Sequence, residues 1–158
     1  MKAASIKQIK DELNQLSQNE LVNICLRLSK FKKENKELIS YLLFDASNES
    51  GYVEEVKKSL AEEFAGVNTK SVYITKKNLR KIIRIANRFI KYSDDPETPV
   101  QILLFICVEM NKLPVNFSRS TSLSNIVSAT RNKLLKQIEA LHEDLQYEYK
   151  REFKKLNE

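Results

Sequence analysis

Residues 100–110 read VQILLFICVEM, and this stretch gives the clearest indication of the fold class. Its seven consecutive apolar residues, Ile102 to Val108, leave no polar stripe along the segment. A surface helix would keep one charged face, and a half-buried strand would alternate apolar and polar side chains. Pro96 and Pro99 limit where a helix can begin, so we expect a helix that ends near Asn111. A helix that is apolar almost all round belongs in the middle of a fold.

The composition around this stretch favours helices throughout the chain. The chain has 158 residues, with only two glycines and three prolines. Sheets and barrels usually need more turn residues, whereas long helices do not. We therefore predict an all-α fold, a single domain over 1–158 that forms a bundle of six to seven helices. Because several helix pairs have similar lengths, a HEAT-like α-solenoid is the second interpretation.

Two helices are predicted at the start of the chain. The first covers about 5–16, and the capping box Ser17-Gln-Asn-Glu20 opens the second. The second helix carries one apolar face, formed by Leu21, Ile24, Cys25, Leu28 and Phe31. A helix-hinge-helix of the SAP type has similar apolar spacing, but the glycine-containing hinge of such domains is missing. A plain helical hairpin is the preferred interpretation.

The two cysteines bear on the compartment. Cys25 and Cys107 both lie in apolar stretches, so we expect buried thiols in a reducing environment rather than a disulfide. The first 15 residues contain no apolar segment typical of a secretory signal, and the longest apolar run is too short to span a membrane. These features predict a cytoplasmic protein that does not insert into a membrane.

A long C-terminal helix is predicted from about Ser124 to Leu156, because neither glycine nor proline interrupts this segment. Beyond Leu145 its apolar stripe degrades. We expect the last turns, about 146–158, to project from the bundle or to pack at its edge. A dimer contact through this helix and a solvated overhang both remain open.

Two stretches carry a resemblance to known proteins. Residues 20–44 read ELVNICLRLSKFKKENKELISYLLF, and residues 76–93 read KKNLRKIIRIANRFIKYS. In these stretches the chain resembles a small bacterial family of uncharacterised helical proteins, over about two-thirds of its length. The shared motifs are helix-core patterns, so the resemblance implies an all-helical fold and no activity.

One segment carries the whole excess of positive charge. Residues 67–93 contain eight basic side chains and no acidic ones. Thr75 is a good cap for a helix over 75–92, although Val72-Tyr73-Ile74 just before it has β preference, and Tyr73 itself suits a half-buried position. At 100° per residue, six cations of this helix fall within an arc of about 100°. This basic row consists of Lys77, Arg80, Lys81, Arg84, Arg88 and Lys91.

Three interpretations of the basic row remain open. It binds a nucleic-acid backbone, it binds an acidic protein, or it has no external partner. In the third case the face is either solvated or neutralised within the fold by acids of the preceding helix, Glu54, Glu55, Glu62 and Glu63. A row of lysines and arginines gives affinity for phosphates but does not read a base sequence.

Enzyme chemistry finds little support in the sequence. His142 is the only histidine, and it forms one Glu-x-x-His motif with Glu139, whereas di-iron bundles need two such motifs. The sequence contains no CxxC, P-loop, GxGxxG or GxSxG motif. We predict no catalytic residue, metal site or cofactor. The preferred hypothesis is a non-catalytic interaction module that binds another macromolecule through its helix faces, and a metal- or carboxylate-dependent enzyme is the weakest one.

Overall fold

The computed structural model describes residues 2–156, and every regular element in this range is helical. The predicted all-α class is confirmed. The chain divides into two compact units, of which the first ends at Leu43 and the second begins at Phe44. The boundary falls within a π-helical turn, Tyr41–Asp45. Within the described range, no helix has the length and the apolar character that a membrane crossing requires.

The first unit contains three short helices, α1 (Ile6–Leu13), α2 (Gln18–Phe31) and α3 (Lys33–Ser40). The predicted capping box at the start of α2 is present. The Ser17 backbone N–H donates to the Glu20 carboxylate at 2.8 Å, and the Glu20 N–H donates to the Ser17 hydroxyl. The Ser17 hydroxyl also donates to the Glu20 carboxylate, at 2.7 Å. This bond, and to a lesser degree the bond from the Ser17 N–H, lowers the pKa of Glu20, because both stabilise its ionised form. The helix α2 packs against α3.

The apolar face of α2 is exposed. No residue of α1, α2 or α3 is buried, and the side chain of Phe31 is 74% exposed. Cys25 is also exposed, so the prediction of a buried thiol at this position is wrong. The physical reason is size, because a unit of about 40 residues has too little chain to surround one of its own helices.

The second unit contains five helices that form a bundle. They are α4 (Glu49–Ala65), α5 (Val72–Ile90), α6 (Thr98–Lys112), α7 (Thr121–Glu139) and α8 (Glu143–Lys155). A short 3₁₀ turn, Phe117–Arg119, precedes α7. The helix α6 packs against α4, α5 and α7, so it occupies the centre of the bundle as its sequence predicts.

The core of the second unit is built around α6. Val100, Ile102 and Ile106 on this helix are completely buried. Cys107 is buried as predicted, and burial raises the pKa of its thiol to about 11. The other helices of the unit contribute buried apolar side chains: Val53, Val56, Leu60, Phe64, Leu79, Ile82, Ala86, Leu123, Leu134 and Ile138.

The predicted C-terminal helix is divided into two. The helix α7 ends at Glu139 and α8 begins at Glu143, without glycine or proline between them. The side-chain amide of Gln146 donates to the carbonyl oxygens of Glu139 at 3.1 Å and of Leu141 at 2.8 Å. Gln146 thus satisfies carbonyl groups that a helix end leaves without partners, and this stabilises the break.

The helix α8 packs on the bundle. It contacts α7, and the hydroxyl of Tyr149 donates a hydrogen bond to the carboxylate of Glu97. The Asn111 side-chain amide of α6 donates to the carbonyl oxygen of Leu156 at 2.9 Å. Residues 146–156 therefore lie at an edge of the bundle, whereas residues 157–158 of the predicted segment lie outside the described residues.

The central position of α6 can be tested by a substitution that creates a cavity beside it. Replacing Ile106 by alanine should lower the free energy of unfolding by about 2–5 kcal/mol, because the methyl groups lost from a filled core leave a void. Urea denaturation measures this change. Ser128→Ala on the exposed side of α7 is the control and should stay within about 0.5 kcal/mol of the parent protein. An equally small effect of Ile106→Ala would contradict the central position.

The packing of α8 can be tested through Tyr149. Burial is the larger cause that raises the pKa of Tyr149, and the hydrogen bond to Glu97 adds to it. Tyr149→Phe should lower the free energy of unfolding by about 1–2 kcal/mol at pH 8. Because the folded state holds the phenol proton more tightly, this contribution is complete below pH 10 and decreases as the pH rises above it.

Measuring the free energy of unfolding of the parent protein and of Tyr149→Phe at pH 8 and at pH 10.5 checks the direction of this pH dependence. The difference between the parent protein and Tyr149→Phe should be smaller at the higher pH. Tyr147→Phe is the matched control, since Tyr147 lies on the same helix with 73% of its side chain exposed. If the two variants behave alike at pH 8, Tyr149 does not hold α8 on the bundle.

Candidate functional site

The helix α5 begins three residues earlier than its sequence predicts. The hydroxyl of Ser71 accepts a hydrogen bond from the N–H of Ile74 at 3.2 Å and caps the helix. The prediction that Thr75 is the cap is wrong. Thr75 is buried in the first turn, where its hydroxyl donates to the carbonyl oxygen of Ser71 at 2.9 Å. The β preference of residues 72–74 is overridden, because the cap and the buried Thr75 fix this turn as a helix.

The helix has two distinct faces. Leu79, Ile82 and Ala86 are buried in the core of the second unit. The opposite face carries the basic row, which extends for about 21 Å from Lys77 to Lys91. Five members of the row are exposed: Lys77, Arg80, Lys81, Arg84 and Lys91.

Arg88 differs from the other members of the row. It is half-buried, and the carbon of its guanidinium lies 5.4 Å from the centre of the Phe89 ring. Part of this side chain is therefore packed within the second unit. Of the six predicted positions, Arg88 offers the least surface to a ligand.

Among the exposed members of the row, one is paired with an acid of the described residues. Lys81 forms an ion pair with Glu63 of α4, with 2.6 Å between the ammonium and carboxylate atoms. Glu54 pairs instead with Lys57 of its own helix at 2.9 Å. The other exposed members have no carboxylate within 4.0 Å among the described residues, and they are Lys77, Arg80, Arg84 and Lys91.

The two flanks of the row carry different charges. On the side of α4, a cleft of about 340 Å³ is lined by Glu62 and Glu63 together with Asn78 and Lys81. The acids of this cleft compensate the nearest lysine. The positive field of the row is consequently weakest beside α4.

The flank beside α7 adds a further cation, Lys133. Its ammonium group donates a hydrogen bond to the side-chain oxygen of Asn87 on α5. The pKa of Lys133 is lowered, mainly by partial desolvation and to a lesser degree by the nearby ammonium of Lys91. The sequence does not predict a role for Lys133, because nothing in the pattern of α7 distinguishes it from other surface lysines; only the packing of α7 on α5 brings it to the row.

An exposed aromatic side chain lies at the start of the same face. Tyr73 is 69% exposed, so its predicted half-buried position is wrong. It precedes Lys77 by one helical turn and Arg80 by two, and this spacing places it on the side of the helix that carries the row. The apolar side chains of Val72 and Ile74 beside it are also exposed.

The residues considered for metal chemistry are separated by the helix break. Glu139 ends α7 and His142 precedes α8, so the two side chains do not share one helical face. The imidazole of His142 lies 3.5 Å from the carboxylate of Asp144, and both side chains are exposed. Within residues 2–156, no group of three or more histidine, cysteine, aspartate or glutamate side chains is arranged to hold a metal ion.

Comparison with known proteins found no matching family model, no matching curated protein and no matching solved structure. The resemblance to a bacterial family of uncharacterised helical proteins stays a prediction. The basic row and its surroundings are therefore interpreted from their own geometry.

The proximity of Lys133 and Lys91 can be tested by titration. Lys91→Gln removes one positive charge beside Lys133, so the pKa of Lys133 should rise part of the way toward its ordinary value. The chemical shifts of the lysine ε-CH₂ group, followed by NMR as the pH is raised, measure this change. Lys154→Gln on α8 removes an equal charge elsewhere and should leave the Lys133 pKa unchanged. If both variants change the Lys133 pKa equally, Lys133 does not lie beside Lys91 and is not part of the basic surface.

Proposed function

We propose that this chain is a non-catalytic interaction domain that holds a nucleic acid by its phosphate backbone on the basic face of α5. One observation carries the proposal. Four exposed cations on one side of a single helix have no acidic partner among the described residues: Lys77, Arg80, Arg84 and Lys91. A cytoplasmic location, in which exposed Cys25 stays reduced, is part of the proposal.

Repulsion between the like charges of the row destabilises the isolated protein. Like charges four residues apart, such as Arg80 and Arg84, repel each other by about 0.2–0.5 kcal/mol. A polyanion that lies along the row turns this repulsion into attraction. The guanidinium groups also match phosphate oxygens through paired hydrogen bonds, which a lysine cannot form.

The composition of the face favours a nucleic acid over an acidic protein. The buried centre of a protein interface is normally poor in charge and rich in apolar side chains. The middle of this face, from Arg80 to Arg84, instead presents cations. Successive turns of the helix repeat these cations every 5.4 Å or so, and a phosphate backbone offers a regular series of negative charges to such a row.

The proposed binding is independent of base sequence. The cations contact phosphates, which position a nucleic acid but carry no sequence information. Counterions that are bound to the nucleic acid are released as the protein neutralises phosphates, so the affinity should decrease steeply as the salt concentration rises. Binding of this kind suits a module that recruits or covers nucleic acids of any sequence.

The double variant Arg80→Gln with Arg84→Gln tests the proposal. It removes two phosphate contacts, so affinity for a 20-nucleotide oligonucleotide at low salt should fall by at least about tenfold. The slope of log K against log salt should become smaller by about 1–2. Fluorescence anisotropy measures both quantities. The matched control is Arg151→Gln with Lys154→Gln, which removes the same charge from exposed positions on α8 and should bind like the parent protein.

Two outcomes would contradict the proposal. Equal losses in both double variants would show that net charge, and not the face of α5, governs binding. Binding of polyglutamate in preference to the oligonucleotide, abolished by the Arg80 and Arg84 substitutions, would assign the same face to an acidic protein.

A further inference from the structure

The position of Tyr73 is not explained by the packing of the second unit. A tyrosine in the first turn of a helix can bury its ring against the core, as Tyr52 does near the start of α4. The ring of Tyr73 instead stays 69% exposed, between the exposed side chains of Val72 and Ile74. Tyr73 gives the basic row an aromatic end, which a ligand made of phosphates alone would not use.

The distance from the Tyr73 ring to the nearest cation of the row suits the distance between a base and its phosphate. Tyr73 and Lys77 are four residues apart, so their Cβ atoms lie about 5–6 Å apart on the helix surface. A nucleotide that stacks its base on the Tyr73 ring brings its phosphate within reach of Lys77. The following phosphates then continue toward Arg80 and Arg84 along the same face.

Stacking requires a base whose flat surface is free. In a duplex the bases are stacked on each other inside the helix, and a protein side chain reaches only their edges. Single strands expose the faces of their bases, and proteins that bind them combine a basic surface with aromatic side chains. The combination of Tyr73 with the basic row follows this pattern.

We infer that the basic face of α5 selects single-stranded over double-stranded nucleic acid, with Tyr73 as the stacking platform for an unpaired base. The inference rests on the proposed function, because stacking on one ring adds to a contact that the phosphates already provide. Tyr73 supplies selectivity for the single strand, and the cations supply most of the affinity.

The first experiment separates stacking from charge. Tyr73→Ala should weaken binding of a 12-nucleotide thymidine oligomer by about 5- to 100-fold, because one base loses its stacking partner. Binding of a duplex of equal length should change less than about twofold, and the salt dependence should be unaltered, since no phosphate contact is lost. Tyr147→Ala is the matched control, because Tyr147 is 73% exposed and lies on α8 beside acidic as well as basic residues.

The second experiment observes the stacked base directly. The chain contains no tryptophan, so Tyr73→Trp introduces a single fluorophore at the proposed platform. Its emission should be quenched by the thymidine oligomer and not by heparin, a polyanion without bases. Tyr147→Trp should show no such difference between the two ligands.

The outcomes distinguish the inference from the proposed function. Suppose that the protein binds the single-stranded oligomer and the duplex in a salt-dependent way. If Tyr73→Ala then leaves both affinities unchanged, or weakens them equally, the inference is overturned and the proposed function is kept. If neither the oligomer nor the duplex binds in a salt-dependent way, both are overturned. Quenching of Tyr73→Trp by heparin as strongly as by the oligomer would show that the ring senses charge and not a base.

Discussion

Burial of the apolar half of α5 is the constraint on which the candidate site depends. Leu79 and Ile82 on this half are only 1% exposed. Each large apolar side chain that is buried stabilises the fold by about 1.5–3 kcal/mol, which exceeds the 0.2–0.5 kcal/mol of repulsion in a pair of like charges. The core therefore decides the rotation of the helix about its axis, and the cations must face outward.

The neighbours of α5 determine how strong the positive face is. At the edge of the row beside α4, Glu63 of that helix compensates Lys81. On the other edge α7 contributes Lys133, whose pKa is lowered by partial desolvation and, to a lesser degree, by the ammonium of Lys91. The positive charge is thus concentrated along the middle of α5 and toward α7. A ligand that follows the row also meets Lys133, which is 42 residues from Lys91 in the sequence.

The parts of the fold that the sequence predicts are those in which a periodic pattern coincides with a packed helix. The apolar stretch at 100–110 predicts a central helix, and Ile106 is completely buried. The separation of apolar and basic residues over 75–92 likewise predicts the two faces of α5. Both predictions rest on local patterns that the core of the second unit enforces.

The features that the sequence does not predict depend on individual side-chain contacts and on tertiary packing, which a periodic pattern does not reveal. The break between α7 and α8 has no glycine or proline to mark it, and it is stabilised by the side chain of Gln146. The apolar face of α2 follows the same pattern as a buried helix, yet Cys25 on it is exposed, because the first unit is too small to cover it. Lys133 joins the row only through tertiary packing, and the first turn of α5, which carries Tyr73, begins at the cap Ser71.

A nucleic acid that lies on the outward cations of α5 should shield them from reagents. Lysine acetylation, quantified by mass spectrometry with and without a single-stranded oligonucleotide, measures this shielding. We expect Lys77 and Lys91 to become protected when the oligonucleotide is bound, while Lys154 and Lys155 of α8 react at unchanged rates. Protection of the α8 lysines, with Lys77 and Lys91 as reactive as before, would contradict the account.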